Sequence, residues 1–398
     1  MLALTVALAT AACGDCLDGV QPSGALYRFC LPPSWNGDLV VYAHGYAATA
    51  EPVALPGDTT PDGLSISGLV NGLGYAFATT SYRTNGLVVL EGIDDVLQLI
   101  DLFAAQFGDP GRVFLIGPSE GGILTALAIE AFPDVFDGGL SLCGPVGDFR
   151  AQLDYIANFR TLFDYFFPGV IPGNPTNVPD DVVANWYATY EPKVIKAIRR
   201  APDRTRQLIR TSGAPVDPDD PSTVEHTVTG LLWYHVFATE NAMAKLGGQP
   251  FDNARKLYRG SRNDRRLNRK VFRTTAEPAP LAEIERHYQT SGHLEVPLVT
   301  MHTTLDEIIP AAHEDLYARK IRADGSSRLH VNIYVDRYGH CNFTGTELIQ
   351  GFIILLNMVT RGEQQPATVC LPLEGEASFA GTRHRNPRIN STAVSGRK

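Results

Sequence analysis

The sequence predicts an α/β fold: a mostly parallel central sheet flanked by helices, interrupted by an inserted, mainly helical cap. Three observations carry this. Strand-like apolar runs alternate with helical runs up to residue 148. The rhythm stops across residues 149–295 and then resumes at Val296. Strands separated by helices need crossover connections, which favours parallel pairing with both sheet faces covered.

Taken in order, Asp38–His44 (DLVVYAH) and Tyr75–Ser81 (YAFATTS) read as buried strands. Glu91–Phe107 places Ile93, Val96, Leu97, Ile100, Phe103 and Phe107 on one helical face. Arg112–Ile116 (RVFLI) is a strand, Gly121–Phe132 an apolar helix, and Gly138–Cys143 (GGLSLC) a strand. Aromatic and charged helical stretches then follow without a clear strand, from about Phe149 to Glu295. Val296–Thr300 (VPLVT) restarts the strands. A helix over Pro310–Ile321, a strand over Leu329–Val335 and a helix over Thr346–Thr360 complete the series. Both flanks of the interruption belong to one sheet. The expected organisation is a signal-like or lipoprotein-like N-terminus over 1–15, a core over 16–148 and 296–373, the cap over 149–295, and a polar tail over 374–398.

Composition narrows the class of protein. The 398 residues are 44% hydrophobic and 19% charged, enough for a large buried core. The formal charge of -9 gives no footing for a nucleic-acid partner. No apolar run long enough to span a bilayer follows the N-terminus, so no internal membrane span is expected. Met1–Ala12 (MLALTVALATAA) reads as the apolar part of an export signal ending in small residues. Ala11-Ala12-Cys13 resembles a lipoprotein cleavage site, so membrane anchoring is expected only if Cys13 is lipidated. The expected location is secreted, periplasmic or on the outer membrane as a lipoprotein. Exported cysteines tend to pair. The expected pairs are Cys16 with Cys30 and Cys341 with Cys370, leaving Cys143 a buried free thiol.

Gly117-Pro118-Ser119-Glu120-Gly121 fits G-x-S-x-G, with an apolar strand before it and an apolar helix after it. In that context the turn lifts the Ser119 hydroxyl above the sheet edge, at a helix N-terminus that favours a developing anion. An unassisted hydroxyl is a weak nucleophile, so Ser119 needs a base. Of ten histidines, His340 stands in the loop after the strand that ends near Val335. A base needs an orienting carboxylate. Asp306 and its neighbour Glu307 both follow the strand at Val296–Thr300. For the oxyanion, the backbone N–H of Glu120 is one expected donor, and that of Tyr46, in His44-Gly45-Tyr46, the other. His44 is expected to fix that loop. There is no H-E-x-x-H and no phosphate-binding G-x-x-x-x-G-K-[ST], so no metal and no cofactor are expected.

These motifs resemble the α/β-hydrolase superfamily over roughly residues 25–148 and 295–360. His44-Gly45, the Ser119 elbow, Asp306 with Pro310, and Gly339-His340 carry the resemblance. It implies a triad of Ser119, Asp306 and His340, in that chain order, and an acyl-enzyme route. It is what favours Asp306 over Glu307. The chain looks most like secreted bacterial esterases and prolyl-oligopeptidase-like serine hydrolases. Pro118 and Glu120 depart from any one well-defined subfamily. The leading expectation is an exported carboxylic ester hydrolase acting on a small-molecule or polymer ester, aromatic esters included. The alternatives are a serine exopeptidase, with Glu120 or cap carboxylates holding a substrate amine, and a non-catalytic binding protein. Among cap aromatics, Trp186 and Trp233 are the candidates for substrate contact.

Overall fold

A computed structural model describes residues 16–361 and 368–371. The expectations for Met1–Ala12 and Cys13 and for the tail over 374–398 lie outside the described residues. The strands are β1 (Cys16–Val20), β2 (Leu26–Cys30), β3 (Leu39–Tyr42), β4 (Ala76–Thr80), β5 (Val113–Pro118), β6 (Gly138–Leu142), β7 (Leu298–Leu305), β8 (His330–Tyr338) and β9 (Thr368–Leu371). They form one sheet in the order β1-β2-β4-β3-β5-β6-β7-β8-β9. Every neighbouring pair from β4 to β9 is parallel, while β2 runs antiparallel to β1 and β4.

The sheet is covered on both faces, as its apolar strands require. Helix α1 (Ile66–Gly72) lies on one face; α2 (Val89–Phe107) and α3 (Glu120–Ala131) lie on the other. Between β6 and β7 the chain forms α4 (Phe149–Phe166), α5 (Asp180–Ala184), α6 (Glu191–Arg200), α7 (Pro202–Ser212), α8 (Thr223–Leu246), α9 (Asp264–Lys270) and α10 (Pro278–His287). Helix α11 (Ala312–Asp324) joins the α2–α3 face, and α12 (Gly345–Arg361) joins α1.

Three apolar clusters follow from this layout. Leu99, Phe103, Leu115 and Leu124 anchor the α2–α3 face. Phe77, Phe114, Phe352 and Leu355 anchor the α1–α12 face. The helical insertion has its own cluster, with Phe163, Trp186, Val194 and Leu232 at its centre. Ile308 and Ile309, just past β7, belong to that third cluster and key the insertion to the sheet.

Cys16 and Cys30 are joined across the β1–β2 ladder, where they stand opposite each other. The second pairing corrects the expected one. Cys341 is joined to Cys143, not to Cys370, so Cys143 is no free thiol. The reason is topological. Cys143 follows the last residue of β6, at the sheet edge over which the loop after β8 folds. Cys370 stands on β9, opposite Tyr334 in the body of β8.

Candidate active site

Ser119 sits between β5 and α3, with φ 58° and ψ -120°. A side chain in this left-handed region is uncommon and marks a turn held by its surroundings. The neighbours that hold it lack side chains. A Cβ on Gly117 would collide with the Gly121 carbonyl, and one on Gly121 with the Ala43 carbonyl. The Ser119 N–H donates to the Leu142 carbonyl at 2.8 Å, which registers the elbow against β6.

The structure brings Ser119, His340 and Asp306 together. Ser119 Oγ lies 2.9 Å from His340 Nε2, and His340 Nδ1 lies 2.8 Å from Asp306 Oδ2. With a carboxylate on one side, the imidazole carries its proton on Nδ1 and presents Nε2 as acceptor to the serine hydroxyl. Asp306 is fully buried, and its Oδ1 accepts the Ile308 and Ile309 N–H groups at 2.9 and 2.8 Å. Burial alone would raise its pKa. Attraction to His340 and the hydrogen bonds from His302 and His340 prevail, and the carboxyl is held well below its usual range. The turn behind Asp306 is pinned by α4: Tyr155 donates to the Glu307 carbonyl and Gln152 to the Ile308 carbonyl.

Gly45 passes beside the elbow, where a Cβ would come within 3.1 Å of Ser119 Cβ. That places the His44–Tyr46 loop against the Ser119 hydroxyl. His44 Nδ1 contacts the Gly45 carbonyl at 2.7 Å, and its ring stacks on Tyr82 with centroids 4.1 Å apart. The Tyr46 phenol donates to the Phe237 carbonyl of α8, tying the loop to the insertion.

Glu120 has its backbone beside Ser119 but its side chain elsewhere. Its Oε1 accepts the Val88 N–H at 2.6 Å, at the start of α2. Burial pushes its pKa up to about 8 against the pull of that bond. One oxygen of the carboxyl group thus serves a helix start, while the buried Oε2 has no partner.

A pocket of about 490 Å³ opens at His340, walled by His226, Trp233, Tyr234, Glu307 and Tyr338. Trp233 therefore faces the site. Trp186 does not: it is fully buried in the insertion's own cluster, which corrects that expectation. Its ring packs among the apolar side chains of the insertion, with the Nε1 N–H buried and unpartnered. Tyr234 is closer to the chemistry than either. Its ring meets the His340 ring edge-on at 6.4 Å. Burial and then the charges of Asp306 and Glu307 push that phenol's pKa up. Glu307 is buried with Oε2 unpartnered, and His226 Nδ1 lies 3.5 Å from Oε1.

Sequence reasoning missed His302 and Glu314. His302, fully buried on β7, places Nδ1 2.9 Å from Glu314 Oε1 and Nε2 3.4 Å from Asp306 Oδ2. A histidine inside the apolar run VPLVTMH was the available signal, because a buried imidazole must have partners.

The profile of the prolyl oligopeptidase family matches residues 70–158, the stretch that contains the elbow. An o-phthalyl amidase from Xanthobacter agilis is 22% identical over 438 aligned positions, covering 92% of each chain. Among solved structures, feruloyl esterase B from Aspergillus oryzae aligns over 87% of this chain and 80% of its own, at 17% identity and a TM-score of 0.46. Acylaminoacyl peptidase from Pyrococcus horikoshii aligns over 88% of this chain at 14% identity and a TM-score of 0.43. This chain spans only 42% of that peptidase. The sheet order, the elbow and the hydrogen-bonded trio define the class: the chain is a serine hydrolase of the α/β-hydrolase fold.

Proposed function

We propose that this chain is an exported carboxylic ester hydrolase that works through an acyl-enzyme at Ser119. The unbroken relay Ser119–His340–Asp306 carries the reading. As the Ser119 oxygen attacks the ester carbonyl, its proton passes to His340 Nε2, and Asp306 stabilises the imidazolium. The carbonyl oxygen becomes an oxyanion, received by the N–H groups of Glu120 and Tyr46. Such a donor is worth roughly 3–4 kcal/mol in the transition state. Collapse expels the alcohol, which takes the proton from His340. Water, deprotonated by His340, then releases the acid and restores Ser119. The aromatic wall of Trp233, Tyr234 and Tyr338 suits an aromatic ester. The signal-like N-terminus and the two disulfides support export. Lipidation of Cys13 would add anchoring to a membrane.

Amide hydrolysis is the second reading. The prolyl oligopeptidase match and the relative named an amidase favour it. The unpartnered oxygen of Glu307 in the pocket, rather than Glu120, would then hold a substrate amine.

Turnover of nitrophenyl esters, nitroanilides and aminoacyl nitroanilides by wild type and Ser119→Ala tests both. Ester turnover should dominate and fall by at least about a thousandfold in the variant. Amide turnover exceeding ester turnover selects the second reading, and full activity in Ser119→Ala overturns both.

A further inference from the structure

His340 stands on the loop between β8 and α12, and the loop's hydrogen bonds run mostly to one side. Thr303 of β7 donates to the Gly339 carbonyl at 2.7 Å, and the Gly339 N–H donates to the Leu305 carbonyl at 3.3 Å. Asp306, just past β7, accepts from His340 itself. The Tyr338 phenol is held by Thr223 and Thr227 of α8. Asn342 bonds back within the loop and to Arg337. These contacts place His340 relative to Asp306. They relate it to Ser119, which is registered on β6 through the Leu142 carbonyl, only by way of the β6–β7 ladder.

The Cys143–Cys341 disulfide ties the His340 loop to the end of β6 directly. Cys341 follows His340 directly, and Cys143 follows Leu142 directly. Cys143 is fully buried, and its own N–H donates to the Met301 carbonyl at 2.7 Å. Both cysteines have positive φ, 45° at Cys143 and 50° at Cys341, a backbone form that β-carbon-bearing residues seldom adopt unaided. Cys341 Sγ lies 3.7 Å from His340 Nε2. An open bond would therefore do two things. It would untie the histidine loop from β6, and it would leave a thiol beside Nε2 able to compete with Ser119 for the imidazole.

We propose that Cys143 and Cys341 are positioning residues whose disulfide sets His340 against Ser119, so that full activity needs the bond closed. This rests on the reading of Ser119 and His340 as the catalytic pair. Opening the bond is a two-electron reduction: a dithiol gives two electrons and two protons, forms its own disulfide, and leaves two cysteine thiols.

The test compares wild type with Cys143→Ala/Cys341→Ala and with Cys16→Ala/Cys30→Ala, using nitrophenyl acetate turnover and the rate of fluorophosphonate labelling. The first variant should lose kcat and labelling rate by about 10- to 100-fold, as expected for a small misplacement of a reacting group, with KM within about twofold. The Cys16/Cys30 variant should keep its kcat. A Cys143/Cys341 variant that melts earlier but keeps full kcat and labelling rate overturns the proposal and leaves the bond a purely structural brace. Should that variant not fold, folded wild type is reduced with dithiothreitol, the opened bonds are identified by mass spectrometry, and activity is followed through reduction and reoxidation. Activity that falls and returns with the Cys143–Cys341 bond supports the proposal; full activity with that bond open overturns it. Labelling of wild type reports the Ser119 reading by itself. Labelling indifferent to the bond sinks only the present proposal, whereas a wild type that never labels sinks both.

Discussion

Asp306 is gripped by two imidazoles, and they differ in kind. His340 is part-exposed and faces Ser119, whereas His302 is sealed, with Glu314 at Nδ1 and the Ile309 carbonyl and Asp306 at Nε2. Burial works against a charge on His302, but its bonds to the two carboxylates win and hold its pKa up at about 10. A free imidazole titrates near ~6.5. The folded chain thus binds this proton more tightly than the unfolded chain does. The stability it contributes is complete below about pH 6.5 and is lost as pH rises toward 10. Wild-type urea midpoints should decline across that window. His302→Gln should be less stable than wild type at pH 6, by about 3–5 kcal/mol for a broken buried pair, and should show a shallower decline. Equal slopes for the two proteins would remove His302 from this role.

Elements divide the labour differently from what their composition suggests. Helix α8 brings Trp233 and Tyr234 to the pocket, whereas the turn at Trp186–Tyr190 feeds its tryptophan into the insertion's core. The two indoles should therefore fail in different ways. Trp186→Ala should cost about 3–5 kcal/mol of stability and leave the ratio of aryl to alkyl ester turnover unchanged. Trp233→Ala should change that ratio, mainly through KM, with a melting temperature near that of wild type. An unchanged ratio in Trp233→Ala would show that this face of α8 does not meet the substrate. The basic stretches of the insertion are occupied with structure. Arg199 pairs with Glu225, Arg262 with Asp203, and Arg273 donates to the loop carbonyls of Asn253 and Lys256. Exposed pairs of this kind add little stability, so these arginines mainly decorate and fasten the surface.

Across the whole molecule, the apolar clusters on the two faces of the sheet and the separate one in the insertion set the order in which structure opens. Strands β3, β5 and β6 are paired on both sides and covered on both faces. The short helices α5 and α9 bury one residue each, Val182 and Leu267. Hydrogen exchange followed by mass spectrometry should find the central strands protected longest, and α5 and α9 exchanging well before them. The reverse order would mean that the insertion, not the sheet, is the stable body. Asp306 would then owe its placement to α4 more than to β7.

Local pattern fixed much of the sheet and the Ser119 elbow. Buried strands, amphipathic helices and G-x-S-x-G are each complete within a short window, so they are legible without knowing what packs against them. The short elements β1, β2 and α1 escaped because a few residues carry too little periodicity, and β7 and β8 ran farther than their apolar cores. The identity of the orienting acid stayed open between Asp306 and Glu307 on the residues alone; adjacent side chains point to different places, and only the turn at Ile308–Ile309 aims Asp306 at His340. The same holds for the tryptophans, for His302, and above all for the cysteines. Cys143 and Cys341 are 198 residues apart. Their meeting follows from strand order and from the fold of one loop over a sheet edge. Such a pairing depends on where the chain closes in space, and a linear sequence carries no local sign of it.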